Sequence, residues 1–320
     1  MSTGRFLPDR IVTNRDMESI VETTDAWIFE RTGIRERRIA PPEMTAAYMG
    51  AAAARIAMER AGVAPEDVDI LIVSTTTPDR LLPATACDIQ ALIGTTKAVA
   101  FDISAACSGF IYALTLAEGY VSTGRGEIAL IVATEKMTSI VDWEDRTTCV
   151  LFGDGAGAVV VRKSTGEQGI LGTHHQSDGN LADLLYRPAG GAAIPMDEEV
   201  LRNRTHFVRM AGREVFKHAV RAMAEGSKQA LARSGWELED VDLVFPHQAN
   251  LRIIKATARY AGLPMEKVFV NVDRYGNMSS ATIPVAMDEA IEEGRLKPGM
   301  NLLLVAFGAG LTWGAMAVRW

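Results

Sequence analysis

The chain has 320 residues, 48% hydrophobic and 23% charged, with a formal net charge of −7. This is ordinary globular usage, long enough for one large or two medium domains with full cores. The acidic balance excludes a general nucleic-acid surface, which needs clustered Lys and Arg to neutralise phosphate. The three cysteines, Cys87, Cys107 and Cys149, stand at wide, unrelated spacings that offer neither a zinc site nor a disulfide framework.

In chain order, the first residues do not read as a secretory signal, because Arg5, Asp9 and Arg10 interrupt any apolar run. Residues 46–61 carry an alanine-rich helical pattern stopped at Gly62. Residues 69–75 (DILIVST) form a short β-branched run and predict a buried strand; 99–103 and 127–133 predict two more, with a helix over 108–122 between them. The glycine-rich Gly153-Asp154-Gly155-Ala156-Gly157 lies between apolar runs rather than opening a helix. It therefore predicts close packing, not a nucleotide loop. A helix over 220–234 leads into Glu239-Asp240-Val241-Asp242-Leu243-Val244, a strand ends just before His247, and another covers 302–306. Residues 300–318 lack charge, but Asn301, Gly308, Gly310, Thr312 and Gly314 make them a strand, glycine turn and strand rather than a membrane span. The expectation is a cytoplasmic protein with no membrane partner.

The order of elements repeats. Glu66-Asp67-Val68-Asp69-Ile70-Leu71 is echoed by Glu239-Asp240-Val241-Asp242-Leu243-Val244 at an offset of 173, and 129–133 by 302–306 at the same offset. Phe101-Asp102-Ile103 pairs with Asn271-Val272-Asp273 near 170. This predicts an α/β fold of two duplicated βα-layered halves about a pseudo-twofold axis, residues 1–166 and 167–320, joined near the polar stretch 164–169. Under these offsets Cys107 corresponds to Asn277 and His247 to Ser74, so all three candidates lie just beyond strand C-terminal ends. Open α/β sheets gather ligands there.

Cys107 sits where a strand runs into a helix, amid the small residues Ala105, Ala106, Ser108 and Gly109. Backbone N–H groups at a helix start favour a thiolate nucleophile. His247 follows a buried strand, and Asn277 lies in a glycine turn before a helix. Taken singly, each has a structural explanation: a buried cysteine, a satisfied histidine, a turn asparagine. Their joint placement at equivalent strand ends is what points to catalysis.

The ordered combination resembles the β-ketoacyl-acyl-carrier-protein synthase III family, the initiating condensing enzymes of bacterial type II fatty acid synthesis. It is carried by Trp27-Ile28-Phe29-Glu30-Arg31-Thr32-Gly33-Ile34, the Cys107 segment, Phe152-Gly153-Asp154-Gly155-Ala156-Gly157-Ala158, His247-Gln248-Ala249-Asn250-Leu251-Arg252, Gly276-Asn277 and Phe307-Gly308-Ala309-Gly310. The resemblance implies a thiolase-like αβαβα sandwich, a homodimer, and decarboxylative Claisen condensation of an acyl-coenzyme A with malonyl-acyl-carrier protein. Cys107 would be the nucleophile. His247 and Asn277 would donate to the malonyl thioester oxygen, and the backbone N–H groups of Cys107 and Ala309 would hold the acyl oxyanion. Trp27, Arg31 and Arg146 would bind coenzyme A, Lys217 and Arg252 the carrier protein, and Leu82 would reach a partner's acyl pocket. Coenzyme A is a substrate here, and neither a metal nor a redox cofactor is implied.

Two departures stand out: Ala309 replaces a usual glycine, and the chain opens on Met1-Ser2-Thr3-Gly4 where relatives carry an apolar strand inside the sheet. Much of that strand is expected to be missing, at a cost in stability. The alternatives are a related condensing enzyme of biotin, polyketide or long-chain hydrocarbon synthesis, or a non-catalytic acyl-binding scaffold. A thiolase is disfavoured because no second cysteine follows Gly308.

Overall fold

The computed structural model describes residues 2–164 and 166–320. Met1, where the first half is expected to begin, and Thr165, in the expected junction, lie outside the described residues.

In chain order the elements are β1 (Ser2–Phe6), β2 (Ile11–Thr13), α1 (Asn14–Met17), α2 (Asp25–Thr32), β3 (Glu36–Arg38), α3 (Ala46–Ala61), β4 (Ile70–Ser74) and α4 (Thr85–Ile93). Next come β5 (Val99–Ile103), α5 (Gly109–Ser122), β6 (Ile128–Lys136), β7 (Asp154–Arg162), β8 (Gly169–Ser177), β9 (Leu185–Tyr186), α6 (Glu198–Arg202) and β10 (Arg209–Met210). The chain ends with α7 (Gly212–Ser234), β11 (Leu243–Pro246), α8 (Leu251–Ala261), α9 (Val272–Tyr275), α10 (Thr282–Glu292), β12 (Asn301–Gly308) and β13 (Thr312–Arg319). Helix α7 begins earlier than the pattern over 220–234 predicts. Among the described residues no helix is long and apolar enough to cross a membrane, and 300–318 form the β12–β13 hairpin.

One sheet has strand order β1-β7-β6-β4-β5, the other β11-β12-β13-β8. Alternation along the strands sorts side chains between layers. Ile70 and Ile72 pack inward with α5 and α10, while Leu71 and Val73 pack outward with α3 and α4. In the second sheet Leu302 and Leu304 join the central core, and Leu303 and Val305 face α7 and α8. The result is the expected five-layer αβαβα sandwich of two mixed sheets, whose central strands β4, β6, β11 and β12 are buried almost throughout. Helix α3 can lie tight on its sheet because nine of its buried positions are Ala, Met or Gly. Thr45 caps its start, and Gly62, at φ 63°, closes it in a left-handed conformation.

The duplication is visible in the pairing register. Ile70 sits opposite Ala129 in the parallel β4–β6 pair, and Leu243 opposite Leu302 in the parallel β11–β12 pair; adding 173 carries one pair onto the other. The equivalence fails at the edge. Where β5 completes the first sheet, the second keeps only a parallel bridge from Val244 to Val268, and Asn271 turns the chain into the short helix α9. The glycine-rich segment packs as read: a Cβ on Gly157 would stand 2.8 Å from Pro284 of α10.

The N-terminal strand corrects the expectation. Ser2–Phe6 does form β1, paired over all five residues with β7, at the edge of its sheet rather than inside it. Backbone pairing needs no apolar run, and polar contacts take the place of burial. Thr3 Oγ1 and Arg5 Nη1 donate to the buried carboxylate of Asp288 at 2.7 and 2.6 Å, and Arg60 pairs with the same group.

Candidate active site

Beyond β5 the chain enters a single 3-10 turn, Ala106–Ser108, that leads directly into α5. Ala106 has φ 46°, a conformation costly for a residue with a β-carbon and common at functional turns. The turn is pinned to the second half of the molecule. Ser108 Oγ donates to Thr312 O at 3.0 Å, and Thr312 Oγ1 to Ala105 O at 3.1 Å. At the end of β12, a Cβ on Gly308 would lie 2.6 Å from the backbone nitrogen of Cys107. Only glycine lets that strand end, with Ala309 next to it, come up against the main chain of Cys107.

A second turn, Ser279–Ala281, precedes α10 in the same way, and its first residue, Ser279, has φ 48°. Ala106 and Ser279, like Gly109 and Thr282, stand 173 apart. The structural counterpart of Cys107 is therefore Ser280, not Asn277 as the strand offset of 170 suggests. His247 follows β11 as Ser74 ends β4, consistent with the offset of 173.

The Ser279 turn organises the site. The Cys107 thiol donates to Ser279 Oγ at 3.6 Å, and Ser279 N–H donates to Asn277 Oδ1 at 2.8 Å. The Asn277 amide is thereby oriented, and its Nδ2 has no protein partner among the described residues. His247 Nδ1 lies 2.7 Å from Thr282 Oγ1, whose hydroxyl is 3.0 Å from Ser279 O. Ser279 and Thr282 were not singled out by motif, although the 173 offset places Ser279-Ser280 opposite Ala106-Cys107. Behind them, fully buried Glu135 accepts from Thr76 N–H at 3.1 Å, Thr77 Oγ1 at 2.8 Å and Ser280 Oγ at 2.9 Å. Burial holds its carboxyl above the ordinary range, although these donors oppose the shift.

Burial dominates the electrostatics. It pushes the Cys107 thiol up to about 12, with Ser279 and the residue's own backbone pulling the other way. Desolvation thus outweighs the helix start that favours the thiolate. Burial likewise drives His247 down to about 3. The resting pair is a neutral thiol and a neutral imidazole.

One cavity of about 620 Å³ collects most of the expected site residues. Cys107, His247, Asn277 and Phe307 line it, as do Trp27, Arg31 and Arg146, and Arg213, Lys217 and Arg252. The Arg31 and Arg146 guanidinium groups stand 4.9 and 5.1 Å from the centre of the Trp27 ring, within cation–π range. Lys217 pairs with Glu214 at 2.7 Å on an exposed surface, and Arg252 lies 6.0 Å from the Phe216 ring. Leu82 is not brought to this cavity within one chain. It is 85% exposed, beside Leu81 at 83%.

Residues 101–179 match the family described as 3-Oxoacyl-[acyl-carrier-protein (ACP)] synthase III, and residues 231–320 match its C-terminal part. The chain is 50% identical over 317 residues to the beta-ketoacyl-[acyl-carrier-protein] synthase III of Roseiflexus sp. (strain RS-1), covering 99% of this chain and 96% of that one. It superposes on the crystal structure of 3-oxoacyl-[acyl-carrier-protein] synthase III from Aquifex aeolicus VF5 with a TM-score of 0.93 and 48% identity, covering 100% and 98% of the two chains. It is also similar to the priming beta-ketosynthase of the R1128 polyketide biosynthetic pathway, with a TM-score of 0.92, 36% identity, and 99% and 94% coverage. These likenesses identify the sandwich as thiolase-like.

Proposed function

The chain belongs to the 3-oxoacyl-[acyl-carrier-protein] synthase III family, and from that premise we propose that it condenses an acyl-coenzyme A primer with malonyl-acyl-carrier protein to give a 3-oxoacyl-acyl-carrier protein. The observation that carries the assignment of roles is the single cavity in which Cys107, His247 and Asn277 meet Trp27, Arg31 and Arg146.

In the first half-reaction the Cys107 sulfur bonds to the acyl carbon as its S–H bond breaks. The coenzyme A sulfur leaves and takes up the proton, so coenzyme A is released as the thiol. Backbone N–H groups of Cys107 and Ala309 hold the oxyanion between these events. In the second, the malonyl carboxylate departs as carbon dioxide and the resulting carbanion attacks the acyl carbon. A carbon–carbon bond forms, the Cys107 sulfur leaves, and it regains a proton from solvent. An imidazole held near 3 is a poor resting base and a good neutral donor. His247 Nε2 and Asn277 Nδ2 accordingly serve the malonyl thioester oxygen as negative charge gathers there.

Trp27 and Arg146 flank the adenine, with Arg31 near phosphate, while Lys217 and Arg252 meet the acidic carrier protein and mainly steer its approach. A homodimer is supported by the free edge of β5 and by exposed Leu81 and Leu82, features that a partner chain would cover. In that dimer Leu82 closes the partner's acyl pocket. The likeness to a polyketide priming enzyme leaves the primer itself to experiment.

The test is single-turnover kinetics of both half-reactions. Cys107→Ser abolishes the acyl-enzyme seen by mass spectrometry. His247→Ala and Asn277→Ala slow condensation by roughly 10²–10³-fold each, as loss of an oxyanion donor does, and slow acylation less. Acylation falling as far as condensation in both variants overturns the division of roles.

A further inference from the structure

Thr282 is fully buried at the start of α10, with its hydroxyl between two acceptors. A hydroxyl has one proton to donate. If that proton goes to Ser279 O, Nδ1 of His247 must carry hydrogen and donate to Oγ1, which leaves Nε2 bare toward the cavity. If it goes to Nδ1, Nε2 carries the hydrogen. Two observations decide between these states. The Ser279 carbonyl already accepts the backbone N–H of Thr282, so it does not need the hydroxyl. Nδ1 has no other partner among the described residues, and its contact is the shorter, 2.7 against 3.0 Å.

We propose that Thr282 is a positioning residue: it donates its hydroxyl proton to Nδ1 of His247 and so holds the imidazole as the Nε2–H tautomer, the form able to donate into the cavity. This rests on the reading of His247 as a donor and deepens it. Among the described residues no carboxylate bonds to this ring, unlike the carboxylate–histidine pairs that raise imidazole basicity in base catalysis. A neutral hydroxyl orients the ring without making it a stronger base. The arrangement also links the parts of the site, because Ser279 touches the Cys107 thiol and the Asn277 amide, and its carbonyl accepts the backbone N–H of Thr282, the residue that meets the histidine.

The experiment combines spectroscopy with kinetics on the full-length protein carrying ¹⁵N-labelled histidine. The wild-type His247 ring shows the Nε2–H pattern of nitrogen shifts and couplings. Thr282→Val, which keeps the shape and removes the donor, shifts His247 toward the Nδ1–H tautomer. It slows condensation at least about tenfold, with the loss of a whole donor, roughly 10²–10³-fold, as the limit. Acylation of Cys107 stays within about twofold of wild type, and Thr282→Ser restores both the pattern and the rate. An Nδ1–H tautomer in the wild type overturns the proposal even if Thr282→Val does not fold; unchanged condensation in a folded Thr282→Val protein overturns it independently. His247→Ala is run in parallel. If that variant condenses at the wild-type rate, the donor reading itself fails. If it is slow while the wild-type ring is Nδ1–H, only the role of Thr282 falls.

Discussion

Alkylation of Cys107 across pH weighs the two forces acting on its sulfur. Burial pushes the thiol from an ordinary value of 9.0 to about 12. At pH 7 a thiol at that value is ionised in about one molecule in 10⁵, against about one in 10² for an unshifted one. The more basic thiolate is the better nucleophile, by about 15- to 30-fold over three units at a Brønsted slope near 0.4–0.5. The two factors together put alkylation by a small electrophile at pH 7 about 30- to 70-fold below that of an ordinary cysteine. The rate is read by iodoacetamide labelling of the Cys107 peptide in mass spectrometry, with acyl-coenzyme A as protectant. Its logarithm should climb with unit slope from pH 6 to 10 without levelling. A plateau below pH 8 would show that the helix start, not desolvation, governs the thiol, and the reasoning from burial would be refuted.

Two further outcomes are expected. His247 is neutral in the fold near 3 and takes a proton in the unfolded chain near 6.5. Its contribution to stability is therefore full above 6.5 and declines as pH falls, by about 2 kcal/mol at pH 5. Urea unfolding at the two pH values should show that decline in the wild type and a smaller one in His247→Asn; equal declines would remove His247 as its source. Leu82→Phe adds bulk where a partner's longer acyl tail would lie, so activity with primers beyond about four carbons should fall while acetyl-coenzyme A is spared. Each lost methylene contact is worth at most about 0.8 kcal/mol. An unchanged primer ratio in stable, dimeric protein would end the pocket assignment.

Much of the fold was legible because its strands are short apolar runs punctuated by polar residues. Ile70–Ser74, buried along its whole length, shows this, and buried parallel strands carry little else. Cys107 and His247 were legible because they follow β5 and β11, whereas Asn277 follows the short helix α9 and was legible only through its glycine turn. Strand β1 was not: its five residues include Gly4 and Arg5, and only pairing with β7 and the contacts to Asp288 make them a strand. Gly4 fits there because a Cβ would meet the Ala53 carbonyl at 2.4 Å, a constraint visible only in three dimensions. The state of Cys107 was hidden for the same reason. A helix start can be read along the chain, whereas the desolvation that opposes it comes from residues far away in sequence.

The duplication would then explain how one site serves the two half-reactions proposed. Each half passes through a turn whose first residue is left-handed and enters a central helix; in the first half the turn follows β5, in the second it follows the short helix α9. The first half places Cys107 in that turn. The second places Ser280 at the equivalent position, where its hydroxyl is held between Ser74 O and Glu135. Because Ser280 is occupied in this way, its neighbours Ser279 and Thr282 are left to orient Asn277 and His247. On the proposed roles the nucleophile belongs to one half and the donors for decarboxylation to the other, and the two meet only because α5 and α10 share the central layer. A substitution in the Ser279–Ala281 turn should therefore disturb condensation before acylation, and one in the Ala106–Ser108 turn should disturb both, since no condensation proceeds without the acyl-enzyme.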